Sequence, residues 1–174
     1  MLSGIGGCRR GVGAPFADPE AVVRLIVAVA LAAFPVTPAA AQDIAAAPNY
    51  GEVRLSPGFS PDPSLVIVQA GGSIDVSRTL TACSGHITSA PDLRLYWDGK
   101  GSLDLKVSVI SNADTTLVVN GPTGTWYCDD DSGDGSNPSL VLPSVAGQYD
   151  IWVGTFGTEG TRPAVVSVSE LSSF

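Results

Sequence analysis

Histidine is nearly missing from this chain: His86 is the single one in 174 residues. Zinc and copper sites need several imidazoles or thiolates at fixed geometry, so both metals are unexpected here. Basic residues are scarce as well, nine Lys and Arg against seventeen Asp and Glu, a formal charge of −8. Binding to a phosphate backbone runs on clustered Lys and Arg, whereas Arg54, Arg78, Arg94, Lys100, Lys106 and Arg162 are scattered. Nucleic acid is therefore not an expected partner. No apolar run approaches the roughly 20 residues that cross a bilayer as a helix; the candidate run, residues 25–34, is LIVAVALAAF. A membrane span is not expected.

That short run has another use. Residues 24–41, RLIVAVALAAFPVTPAAA, combine a positive residue, the apolar stretch, Pro35 and Pro38, and small Ala39 and Ala41 before Gln42, the pattern of a secretory signal peptide. Residues 1–22 carry Asp18 and Glu20, which are out of place in a positive leader. A start at Val22 or Val23 would make residues 1–22 an untranslated extension and remove Cys8 from the cysteine count. With residues 1–41 as signal peptide, the mature chain is expected to be exported, to the periplasm or beyond the cell. It keeps 133 residues, enough for one domain with one core, and six basic against fifteen acidic residues, a formal charge of −9. Its two cysteines, Cys83 and Cys128, are expected to pair in an oxidising compartment. Closing a loop of that length is worth about 4 kcal/mol in the chain-entropy picture.

Along the mature chain, the Ala-rich residues 42–49 read as a flexible tether and residues 50–174 as the domain. The pattern there is of short β-prone runs: 52–55, 65–69, 73–76, 93–97, 103–110, 116–120, 125–128, 149–155 and 165–171. Leu103, Leu105, Val107 and Val109 alternate with Asp104, Lys106 and Ser108, and Tyr149, Ile151 and Val153 alternate likewise. Such alternation puts one set in a core and the other in solvent. Turn residues fall between the runs at Gly71-Gly72, Asp98-Gly99, Asn120-Gly121-Pro122 and Ala146-Gly147,. The expected fold is all-β, a single antiparallel β-sandwich of jelly-roll-like topology.

Chemistry concentrates in residues 125–137, TWYCDDDSGDGSN. Four carboxylates in six positions repel one another unless solvent or a cation answers them. Calcium takes about six to eight oxygen ligands from carboxylates, amides, carbonyls and water, so the candidate ligands are Asp129, Asp130, Asp131, Asp134 and Asn137, with Asp114 reaching in from a neighbouring strand. The same loop read as a solvated turn is the plain alternative. An EF-hand is excluded because the position that needs a bidentate Glu is Val141,. His86, an Asp such as Asp92, Asp98 or Asp104, and Ser132 in DDSGDG follow the chain order of a serine-peptidase triad,. Carboxylates around Ser132 would oppose a developing oxyanion, so the chain is expected not to be an enzyme. Acids this close in one loop also lack the separation across a sugar that glycosidases use. Trp126 and Tyr127, beside the loop, are the candidate binding aromatics.

The order of features over residues 113–156 resembles bacterial pre-peptidase C-terminal domains and related collagen-binding-like β-sandwiches. Asp114 precedes the apolar run 116–119, the acidic loop follows, and AGQYDIWV at 146–153 matches the closing strand. The chain looks like a small free-standing exported protein carrying this one domain. The resemblance implies a calcium-supported accessory or binding module for a protein, peptide or glycan. The alternatives are a serine-peptidase-related or protease-associated secreted protein and a structural envelope protein. Oligomeric state is open, since edge strands of a small sandwich can pair between copies.

Overall fold

The computed structural model describes residues 13, 42–99, 101–157 and 160–174. The expected signal peptide over 1–41, with Cys8 and the start at Val22, lies outside the described residues apart from Gly13. The remaining described residues belong to one compact unit, Ala39–Phe174.

Among the described residues, eleven strands run in the order β1 (Glu52–Leu55), β2 (Ser64–Ala70), β3 (Ile74–Asp75), β4 (His86–Ile87), β5 (Leu93–Trp97), β6 (Leu105–Ile110), β7 (Thr115–Asn120), β8 (Trp126–Asp129), β9 (Ser139–Leu142), β10 (Gly147–Thr155) and β11 (Arg162–Ser169), with one 3-10 turn at Val76–Arg78. They form two sheets, as the alternating pattern requires of a sandwich. One has four strands in the order β2-β11-β6-β9. The other has seven, built around β10, which pairs with β5 and β4 on one side and with β7 on the other. Pairing is antiparallel except that β1 runs parallel to β5. The expected antiparallel β-sandwich is found, and this one exception follows from the connection: a parallel neighbour needs a long one, and the chain after β1 crosses to the other sheet before returning.

Side chains of both inner faces fill the main core, among them Trp97, Leu105, Leu117, Tyr149, Ile151, Val153, Val166 and Val168. Strand alternation selects them. A second cluster, with Trp152, Val118, Ile87, Val76 and Cys83, lies on the opposite face of the seven-stranded sheet. It exists because residues 76–85 fold over that face and the Cys83–Cys128 disulfide fastens them to β8, with Cα atoms 5.3 Å apart. The expected cysteine pairing is found.

Three local expectations differ from the structure. Leu103 lies before β6 and is 46% exposed, so the alternation that begins there reaches the core only from Leu105. Ser108, expected in solvent, is buried because the C-terminal residues fold back across it and the Phe174 amide donates to its hydroxyl (3.2 Å). Residues 42–49, read as a tether, are hydrogen-bonded to the sheet. The amides of Asp43, Asn49 and Tyr50 donate to the carbonyls of Ser89, Pro91 and Asp92, each at 2.8 Å. The Arg94 guanidinium donates to the carbonyls of Ile44 (2.7 Å) and Ala46 (3.0 Å).

Candidate functional site

The acidic loop joins β8 to β9, one strand from each sheet, and its first carboxylate is consumed in making it. Asp129 accepts from the Ser132 amide (3.0 Å), the Ser132 hydroxyl (2.6 Å) and the Ser139 amide (2.8 Å), so it holds the turn and the loop's far end together. Asn137 is buried. Its amide oxygen accepts from Thr115 Oγ1 (2.7 Å), and its nitrogen donates to the carbonyls of Ser111 (2.9 Å) and Asp134 (3.1 Å). Asp129 and Asn137, two of the six expected calcium ligands, thus spend oxygens on hydrogen bonds to the protein itself.

The remaining carboxylates face outward. Asp131 and Asp134 are exposed, and Asp130 accepts from the Ser84 hydroxyl (3.0 Å). Asp114, on the turn before β7, is brought near this group. Its carboxyl is pushed above the usual carboxylate range by partial burial and then by the charges of Asp131 and Asp130,. Asp114 thus lies within electrostatic reach of Asp130 and Asp131. Among the described residues, no group of three or more His, Cys, Asp or Glu side chains converges to hold a metal ion.

The triad candidates are differently engaged. Ser132 donates its hydroxyl to Asp129, not to an imidazole. Asp98 and Asp104 are exposed. His86 sits opposite Thr155 on one side and Asp75 on the other, and its Nδ1 is buried without a hydrogen-bond partner. Asp92 is fully buried; it accepts from the Val153 amide (2.8 Å) and from Asn49 Nδ2 (3.0 Å), and burial pushes its carboxyl up to about 6. Its place explains this. Pairing of β10 with β5 ends at Ile151 and pairing with β4 occurs at Thr155. The carboxylate of Asp92 takes the amide between them, while the Val153 carbonyl accepts from the Gly71 amide (2.8 Å).

Of the binding aromatics, Trp126 packs on Trp152, with ring centroids 5.5 Å apart. It also lines a hollow of about 330 Å³ beside Leu80, Ala82 and the disulfide. Tyr127 is half-buried against the main core.

A feature that sequence reading missed lies at the β1 edge. Arg54, Tyr96 and Gln148 stand in register on three adjacent strands. The Arg54 guanidinium lies 3.9 Å from the centre of the Tyr96 ring, in cation–π stacking, and 3.4 Å from Glu52,. With Ser56, Trp97 and Asp98 they line a hollow of about 430 Å³. The signal present in sequence was alternation, Glu52 and Arg54 on one face of β1 and Tyr96 between Leu95 and Trp97, but only the pairing puts them side by side.

No family model matches the chain, and no curated protein matches it. Among solved structures, the chain is similar to the pre-peptidase C-terminal domain of a collagenase from Bacillus anthracis, at 11% identity and a TM-score of 0.41, over 68% of this chain and 94% of that one. It is also similar to PliG of Aeromonas hydrophila, a periplasmic lysozyme inhibitor of g-type lysozyme, at 12% identity and a TM-score of 0.38, over 68% and 96%. The first bears the family name that the sequence resemblance implied.

Proposed function

We propose that this protein is an exported binding module without catalysis, that it takes a peptide or glycan at the Arg54–Tyr96 hollow, and that its acidic loop is stabilised by calcium. The observation that carries the reading is the stacked guanidinium and phenol in a hollow that also offers an amide, a hydroxyl and a carboxylate. Stacked rings give flat contact area at little entropic cost, and the polar groups orient what lies on them. The disulfide and the signal-peptide pattern support export. The hydrogen bond from Ser132 to Asp129 supports the absence of a peptidase nucleophile, since an activated serine gives its proton to a base that can hold it.

The test of the ligand site is an NMR titration of the mature, oxidised protein with panels of oligosaccharides and of extended peptides. Shifts gathered at residues 54–56, 96–98 and 147–148, and lost in Tyr96→Ala, are expected; binding that maps elsewhere would overturn this site. Calcium is tested separately by thermal unfolding in chelator and across a titration to millimolar concentration. A saturable rise, absent in Asp130→Ala or Asp131→Ala and not reproduced by magnesium, is expected by mass action. An unmoved midpoint returns the loop to a solvated turn. A serine-reactive phosphonate is expected to leave no adduct, and an adduct at Ser132 would restore the peptidase reading.

A further inference from the structure

We propose that two copies of this protein associate through β2, pairing antiparallel across a two-fold axis so that their four-stranded sheets join into one sheet of eight.

The edge strands differ in how they are protected. β1 carries Glu52 and Arg54, β3 is two residues long and carries Asp75, β8 is four residues long and ends in Asp129, and β9 is four residues long. Charge and brevity are the usual guards against edge-to-edge pairing. β2 has neither. It runs seven residues, SLVIVQA, without a charge or a proline, and among the described residues it pairs with β11 alone. Its outward side chains Leu65 and Ile67 are 56% and 76% exposed. Ile67 stands in register with Val165 and Ile110, which makes an apolar row across the sheet.

Charge selects a second copy as the occupant. Two chains with the acidic excess seen here repel over most of their surfaces. Yet β2, β6, β9 and β11 contain no Asp or Glu at all, and their charged residues are Lys106 and Arg162. This sheet is where two copies approach with the least like-charge opposition. An antiparallel pair also sets the β2 end near Asp62 of one copy toward the end where Arg162 is paired with Ala70 in the other, two strand spacings or about 10 Å away,. In that arrangement the free backbone groups of the β2 edge find partners, and Leu65 and Ile67 of one copy meet those of the other. The proposal stands apart from the Arg54–Tyr96 hollow, which lies on the other sheet.

Sedimentation velocity of the mature, oxidised protein from about 1 µM to about 500 µM tests it, a range reaching the weak end of specific interfaces. A concentration-dependent dimer is expected, together with amide-exchange protection that rises with concentration within Ser64–Ala70. Ile67→Lys is expected to weaken the dimer by at least about tenfold, because two ammonium groups would face each other across the axis. Leu65→Lys is the second variant if the first fails to fold. Leu103→Lys, exposed and off the sheet, is expected to change nothing. A monomer at every concentration would overturn the proposal, as would a dimer indifferent to both β2 substitutions or one protected at another strand.

Discussion

The outer faces of the two sheets are treated in opposite ways. That of the seven-stranded sheet is covered twice, by residues 42–50 clamped to Arg94 and by residues 76–85 fastened through the disulfide. Beneath these covers lie an ion pair, Arg94 Nε to Asp150 Oδ1 at 2.7 Å, and the Trp152 cluster. The four-stranded sheet keeps Leu65, Ile67, Ile110 and Val141 in solvent and, among the described residues, is crossed by the C-terminal ones. Position in the sandwich is the same and surface chemistry is not. The lesson is that alternation within a strand specifies an inner and an outer side chain, while the segments between strands decide whether the outer one is buried.

Substitutions should feel that difference. Removing the disulfide in a Cys83→Ser, Cys128→Ser double variant is expected to cost about 4 kcal/mol in chemical denaturation. A loss as small as on the bare sheet would mean that residues 76–85 stay in place without it. Arg94→Ala leaves the buried Asp150 without its ion-pair partner, with Gln148 Nε2 still donating to it (2.7 Å), which is expected to cost about 3 kcal/mol, with faster amide exchange across residues 42–50,. An unchanged exchange rate there would separate the clamp from the ion pair.

Asp92 gives a pH dependence of defined sign. Burial pushes its folded carboxyl up to about 6, above the roughly 3.9 of a free aspartate, so the folded state holds the proton more tightly than the unfolded one. Its contribution to stability therefore rises as pH falls from above 6 toward about 4, by about 2–3 kcal/mol. Asp92→Asn should flatten that slope and stabilise the protein at pH 7.5; a slope that persists would assign it to another group. Ile67→Lys and Val141→Lys on the bare face are expected to change monomer stability by only about 0.5 kcal/mol. A larger loss would show that this face is not bare.

Much of the architecture was legible. Alternating runs such as Tyr149, Ile151 and Val153 declare a strand with one face in the core, and two cysteines in a chain expected to be exported declare a disulfide. Short pairings were not: β4 at His86–Ile87 is two residues long and exists because β3 and β10 flank it. β9 follows the acidic loop directly, so its four residues carry too short a pattern to stand out. The candidate site was legible where it is local. Asp129 and Ser132 are three residues apart, and their bonding to each other makes the turn, while Asp129 also accepts from the Ser139 amide across the loop. Arg94 with Asp150, and Arg54 with Tyr96 and Gln148, meet only through strand order, which no periodicity reveals.

The carboxylate that fills the break between β5 and β4 has a spectroscopic consequence. Amides of β10 held in the ladders to β5 and β7 donate to peptide carbonyls, which do not titrate, whereas the Val153 amide donates to Asp92. Its proton resonance should therefore move as the solution is acidified through pH 6, while amides held in the ladders to β5 and β7 stay still, making one backbone signal a native indicator of one buried acid.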